Sequence, residues 1–245
     1  MAGSILNHDI ADIITKYGLS ERSARNSVQG HPWDKLAEML ANSWSPGNPE
    51  GSVADNQLQQ QEVATYITNN LVFDSSDHLG YGVGPRGSPR LKRALASFFN
   101  SDFRAHEPVK EADVIVFPEV IAVLDALAWS ICNENKGIIT PMPFYTGLKP
   151  ANTWREIARF CGSNGLHLIR DEIFAKSVHD NPHASHGGPH TSVLSLDLSD
   201  CIDRHLVHVA SGLRLGVLVS KSEGLLAAVT SIWQDSSIYP AERLP

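Results

Sequence analysis

The sequence predicts an α/β protein in which helices flank a mostly parallel sheet, and three observations lead there. Short apolar runs rich in β-branched residues recur: VIVFP, GIITP, LHLIRDEIF, HLVHVAS and LRLGVLVS. Runs with helical spacing, AVLDALAWSI and WREIARFCGSNG, alternate with them. At 245 residues and 42% hydrophobic composition, the chain is also large enough to bury one sizeable core.

The elements follow in order. Up to about residue 60 there is little periodic order beyond DIADIITKYG, and WSPGNPEGSVADN reads as loop, so this stretch is expected to be a docking or active-site arm. From Gln57 to Phe73 the residues Leu58, Val63, Ile67 and Leu71 recur near helix spacing, until the glycine- and proline-rich DSSDHLGYGVGPRGSP ends the run. Pro89 suits a first helical turn, and Leu91, Leu95, Phe98 and Phe99 line one face of the helix that begins there. VIVFP, AVLDALAWSI and GIITP then read as strand, helix, strand. WREIARFCGSNG is a helix closed by glycine, and LHLIRDEIF, HLVHVAS and LRLGVLVS are the remaining strands. The polar tract between Phe174 and Ser195 is a surface connection. Its histidines, His179, His183, His186 and His190, are expected to be exposed loop residues and not metal ligands, because no helical zinc motif is present.

Composition narrows the function. Cys132, Cys161 and Cys201 are an odd, widely spaced set that suggests neither a disulfide framework nor a zinc site. The start MAGSILNHDI lacks the basic-then-apolar pattern of a secretory leader, and no apolar run is long enough to span a bilayer, so a cytoplasmic protein without a membrane partner is expected. With 27 acidic against 20 basic residues, a net charge of -7 disfavours a nucleic-acid partner.

Ligands of open α/β sheets bind beyond the carboxyl ends of the strands, which makes Asp171 and Glu172, after LHLI, the most informative acidic pair. An aspartate there can hold a protonated ring nitrogen or an amine, or simply cap a turn. Arg214 could reach a phosphate or carboxylate, or serve as a surface ion-pair partner. Asn56 and Tyr81 could hydrogen-bond a ligand or stabilise their own turns. GYGVGPRG is a weak phosphate-loop candidate, lacking the GxxxxGK[ST] order.

SVADNQL, HLGYGVGPRGSPRLKRALASFF, ITPMPFYTGLKP, EIARFCGSNGLHLIRDEIF and GLRLGVLVS together resemble the class I/II aminotransferase family, especially fungal proteins similar to 1-aminocyclopropane-1-carboxylate synthase. The resemblance implies the pyridoxal-phosphate-dependent fold type I, here as an incomplete large domain. Residues 1–56 would be an N-terminal arm and loop, 57–232 a partial large domain, and 233–245 a tail with the small domain largely absent. It also implies a homodimer, pyridoxal 5'-phosphate as cofactor and an amino-acid substrate. Tyr81 matches the aromatic that reaches the cofactor phosphate across the dimer, and Asp171 matches the aspartate that pairs with the pyridine nitrogen. Arg214 matches a phosphate-contacting arginine, Asn56 falls in what the family uses as a segment near the substrate, and Tyr145 aligns with the aromatic segment that helps shape the family's pocket.

Departures from the family pattern bear on activity. The family's Schiff-base lysine follows the strand equivalent to HLVHVAS, whereas here Ser211 passes directly into Gly212, Leu213 and Arg214. Lys221 follows the next strand, at the wrong chain position. Only ANTW separates PFYTGLKP from the following helix, where the family has a further strand and an asparagine that bonds the ring oxygen, and Phe174 stands in place of a tyrosine. FPEVIAVLDAL lacks the small turn that cradles phosphate: Pro118 has no backbone donor and Glu119 adds negative charge. The expected function is an aminotransferase-like protein of amino-acid or secondary metabolism, catalytically impaired for want of the lysine. An active aminotransferase or lyase, and a noncatalytic interaction protein or gene-model fragment, are the alternatives.

Overall fold

A computed structural model describes residues 10–28, 59–72, 84–134, 136–140, 151–176, 190–212 and 215–238. The chain divides into two compact units, Met1–Phe73 and Asp74–Pro245. In the first, helix α1 (Ile10–Tyr17) closes on Gly18, whose left-handed backbone (φ 63°) brings its N–H to the Ile14 carbonyl at 2.8 Å. The Ser20 hydroxyl accepts from the Ser23 N–H at 3.3 Å and starts α2 (Glu21–Val28), a helix not anticipated from its polar sequence. Helix α3 (Gln60–Asn70) forms where the apolar spacing predicts one, yet none of its residues is buried.

The second unit is built on four strands: β1 (Val114–Phe117), β2 (Leu168–Asp171), β3 (Val207–Ser211) and β4 (Gly216–Ser220). They form one sheet in the order β1-β4-β3-β2. β4 is antiparallel to both β1 and β3, while β2 and β3 are parallel, so the sheet is mixed and small where a mostly parallel one is expected. Chain length explains the reversal. β3 and β4 are joined by Gly212–Leu215 alone, and a parallel connection needs a crossover of about a dozen residues or more, so the two can only form a hairpin.

Side chains alternate across this sheet. Val114, Val209, Val217 and Val219 face helices α4 (Pro89–Asp102) and α6 (Ala151–Ser163), where Phe99, Phe103, Trp154, Ala158 and Cys161 complete one core. Ile115, Phe117, Ala210 and Leu218 face α5 (Val120–Ile131) and α7 (Glu223–Ile238), which contribute Val123, Leu127, Leu225, Leu226 and Val229. Ser88 caps α4 by accepting from the Leu91 N–H at 3.2 Å, and Pro89 fills the first turn as its sequence position suggests. The face that α4 buries carries Ala96 and Phe99, with Phe103 just past its end, while Phe98 turns outward at 37% exposure and touches the Phe99 and Phe103 rings edge-on.

Two readings of the sequence change. The expected GIITP strand is not a strand over its described residues, Gly137–Thr140, which have no regular structure. Ile138 and Ile139 there are 65% and 76% exposed. Conversely, α7 forms from a segment not singled out in the sequence, and it continues through Ile238, past residue 232. Among the described residues no helix is long and apolar enough to cross a membrane.

Candidate active site

Asp171 ends β2, opposite Ala210 of β3, at the carboxyl edge of these two parallel strands. The strand's hydrogen bonding continues one residue further, from the Glu172 N–H to the Ala210 carbonyl at 2.7 Å, so the position is rigidly held. Asp171 is exposed, and its Oδ1 accepts from the Ile173 N–H at 3.0 Å in a tight local turn. Surrounding protein raises its pKa above the ordinary value by desolvation, while the Ile173 N–H and the neighbouring Arg170 pull it down. A carboxylate so placed can meet a cationic ring nitrogen from solvent.

Glu172, paired with Asp171 in the sequence reading, has a different role. It is 1% exposed and latches the chain at 192–193: Ser192 Oγ donates to Oε2 at 2.6 Å, and the Val193 N–H donates to Oε1 at 2.8 Å. The His190 ring lies close by, with Nε2 at 3.8 Å from Oε2 and only 11% of its side chain exposed, which corrects the expectation of an exposed loop histidine. Strand parity was the available signal, since consecutive residues at a strand end cannot both face the ligand.

β3 ends at Ser211, whose hydroxyl donates to the Glu172 carbonyl at 3.3 Å. Next comes Gly212 (φ 155°), and a Cβ at this position would fall 1.6 Å from the Leu215 carbonyl oxygen. Position 212 therefore accepts no side chain without a shift of the Leu215 backbone. Lys221 lies at the other end of the sheet. β4 runs back from Val217, beside Ser211, to Ser220, beside His208. At roughly 3.3 Å per residue that is about 10 Å, and Lys221 continues away from the Asp171 end. Its Nζ donates to the Pro108 carbonyl at 2.6 Å and to Asp113 Oδ2 at 2.7 Å. Lys176, five residues after Asp171, is tied to Asp102 at the end of α4 at 2.8 Å.

The amino end of α5 is where a helix could receive phosphate. Glu119 precedes it without a side-chain cap bond, and Pro118 offers no N–H. Gly216 packs directly on this end: a Cβ there would lie 2.3 Å from the Glu119 carbonyl oxygen and 2.9 Å from the Val120 nitrogen. The GYGVGPRG loop is structural over its described part. The Val116 N–H donates to the Arg86 carbonyl at 3.1 Å, and Gly87 (φ 96°) lets the backbone lie against the Val116 side chain. Arg86 Nε donates to Thr230 Oγ1 on α7 at 2.7 Å.

Of the site residues read from the sequence, only Asp171 is placed; Asn56, Tyr81, Tyr145 and Arg214 lie outside the described residues, as do His179, His183 and His186. Among the described residues no group of three or more His, Cys, Asp or Glu side chains could hold a metal ion. Among the described residues, a pyridoxal phosphate held as the resemblance implies finds only part of its site. Asp171 suits the ring nitrogen, but the crowded, proline-preceded end of α5 does not suit the phosphate, and Gly212, directly after β3, has no room for a side chain.

No protein-family model matches the chain. A probable aminotransferase of Aspergillus oryzae is 23% identical, over 84% of this chain and 65% of that protein. An aminotransferase of Clonostachys rogersoniana is 30% identical over 61% of this chain and 34% of its own length. The chain spans less than two thirds of the length of these curated relatives. Among solved structures, a single mutant of Thermus thermophilus aspartate aminotransferase superposes with a TM-score of 0.58 at 17% identity, covering 90% of this chain and 69% of that one.

Proposed function

We propose that this chain, a member of the pyridoxal-phosphate-dependent aminotransferase family of fold type I, is a catalytically impaired representative of that family. The observation that carries the reading is the β3–β4 hairpin. Ser211 runs into Gly212 with no intervening lysine, Gly212 has no space for a side chain, and Lys221 sits at the far end of the sheet. When bound, pyridoxal phosphate supplies an electron sink and a carbonyl carbon for imine chemistry; a lysine on the protein then holds the cofactor and moves the α-proton. Without that group both the covalent hold and the proton transfer are lost.

What the chain keeps is the other pole of the site. The exposed Asp171 carboxylate, fixed by the Ile173 N–H, stands ready for a protonated ring or an amine. Tyr81 and Arg214 are our candidate phosphate contacts, with Asn56 and Tyr145 near an amino-acid substrate. The protein would work in the cytoplasm as a homodimer, and any retained cofactor would be held noncovalently. Its relationship to 1-aminocyclopropane-1-carboxylate synthases and fungal aminotransferases suggests amino-acid or secondary metabolism as the setting.

The test is purification with excess pyridoxal phosphate, absorbance spectroscopy, and borohydride trapping with mass mapping. We expect no lysine adduct. A stoichiometric adduct on any lysine of this chain would overturn the proposal and favour a working aminotransferase or lyase.

A further inference from the structure

The end of β3 opposite Asp171 carries a cavity of about 710 Å³ that the candidate active site does not use. It opens where β3 begins and β4 ends, between residues 106–108 on one wall and residues 193–205 on the other. Two ties join these walls: the His106 N–H donates to the Leu194 carbonyl at 2.8 Å, and Arg204 donates to Glu107 Oε1 at 2.8 Å. The cavity is therefore preformed, and its volume falls within the roughly 300–1,000 Å³ of small-molecule sites. Its floor is apolar, with Val193, Leu198, Ile202 and Val219 all buried.

The polar groups around that floor do not balance. Both cations of the lining are already matched: Lys221 Nζ meets Asp113 at 2.7 Å and Glu107 at 3.9 Å, and Arg204 meets the same Glu107. Two further carboxylates of the lining, Asp197 and Asp203, have no lysine or arginine nitrogen within 4 Å among the described residues. Asp197 Oδ1 accepts from the Ser199 N–H and hydroxyl, while its Oδ2 stands 3.8 Å from His106 Nε2, beyond hydrogen-bond reach. Arg155 reaches only the Asp197 main-chain carbonyl. Asp203 Oδ1 accepts from the His205 N–H at 2.8 Å, and its Oδ2 has no partner among the described residues. His205 adds a third acceptor. Its Nδ1 lies 2.8 Å from the Lys221 carbonyl, which can only accept, so the neutral ring carries its proton there and keeps a lone pair on Nε2.

We infer that this cavity binds a primary ammonium group carried on an aromatic or branched aliphatic body. The ammonium supplies the donors and the positive charge that Asp197, Asp203 and His205 lack, and the body covers the apolar floor. An anionic ligand does not fit the same accounting, because Arg204 and Lys221 would first have to leave their carboxylates. The site is separate from the Asp171 end of the sheet, so the inference stands whether or not the chain is catalytically impaired.

Titration of the whole isotope-labelled chain at neutral pH, followed by NMR, tests it with 2-phenylethylamine, 3-phenylpropionate and ethylamine. Pyridoxal phosphate is left out, since a primary amine condenses with its aldehyde. 2-Phenylethylamine should shift the signals of Val193, Leu198, Ser199 and Val219 saturably, and 3-phenylpropionate should leave them unchanged. Ethylamine, without the apolar body, should bind at least about 10-fold more weakly. The double variant Asp197→Asn, Asp203→Asn keeps both Oδ1 acceptors and should bind 2-phenylethylamine at least about 5-fold more weakly. Asp171→Asn should bind it as the unaltered chain does. Equal binding of the two phenyl probes overturns the inference, as do shifts confined to the surroundings of Asp171, the absence of a saturable shift, or undiminished binding by the folded double variant. The probe comparison uses the unaltered chain, so it decides even where a variant fails to fold.

Discussion

Acidification should destabilise this protein through His208, and the size of the effect follows from its surroundings. His208, the second residue of β3, is fully buried, with Nε2 2.8 Å from His167 Nδ1 and Nδ1 2.9 Å from Ser220 Oγ. Burial, reinforced by the facing His167, pulls its pKa down from 6.5 to about 3. The folded chain therefore keeps this ring neutral while the unfolded chain protonates it. Between these two pKa values the unfolded state binds more protons, so stability is intact above pH 6.5 and falls as the pH drops from there toward 3. At about 1.4 kcal/mol per pH unit, acidification to about pH 4.5 removes about 2–3 kcal/mol. His167, itself depressed by burial, adds in the same direction. Urea denaturation of the unaltered chain and of His208→Gln at neutral pH and near pH 4.5 isolates the contribution from that of the carboxylates. The variant should lose about 2 kcal/mol less than the unaltered chain over that interval. Parallel losses in the two proteins would refute the assignment of a buried, neutral His208.

Other substitutions probe the packing and the latch. Glu172→Ala strands the Ser192 hydroxyl and the Val193 N–H, and should cost about 2–5 kcal/mol in denaturant unfolding while opening the segment around 190–195 to protease; a loss below about 0.5 kcal/mol would remove the latch role. Phe99→Ala, at 1% exposure between Phe98 and Phe103, should cost about 3–5 kcal/mol, whereas Phe98→Ala should cost under about 1.5 kcal/mol, and equal losses would contradict the face assigned to α4. Gly212→Ala should lower stability by more than about 1 kcal/mol, because its Cβ meets the Leu215 carbonyl; an unchanged unfolding midpoint would show that the hairpin relaxes freely.

Much of the architecture could be read from residue patterns. Helix α4 is legible from Pro89 and its apolar stripe, and α5 from AVLDALAWSI. The four strands are legible because short β-branched runs fit a buried sheet. Phe98 and Phe99 are read as one apolar face, yet adjacent helix positions point in different directions, and packing against the sheet decides that Phe99 is the buried one. The GIITP expectation fails for a related reason: β-propensity describes a segment's fit to a sheet, whereas a strand exists only with a partner. Asp171 was legible as the residue that ends a strand at the carboxyl edge of the sheet. Glu172 beside it was not separable, because burial on the opposite face depends on the chain at 190–193 folding over it.

By itself the amino-acid sequence determined local preference and chemical inventory: which runs form helices or strands, that Asp171 ends a strand, and that no lysine lies between Ser211 and Arg214. These depend on neighbouring residues or on composition alone. Tertiary structure decided what depends on residues far apart: the order β1-β4-β3-β2, the antiparallel return of β4 and the neutrality of His208. It also decided that Lys221 lies at the opposite end of the sheet from Asp171. Pairing, desolvation and strand direction are set by what comes together in space, and a linear spacing of residues does not contain that information.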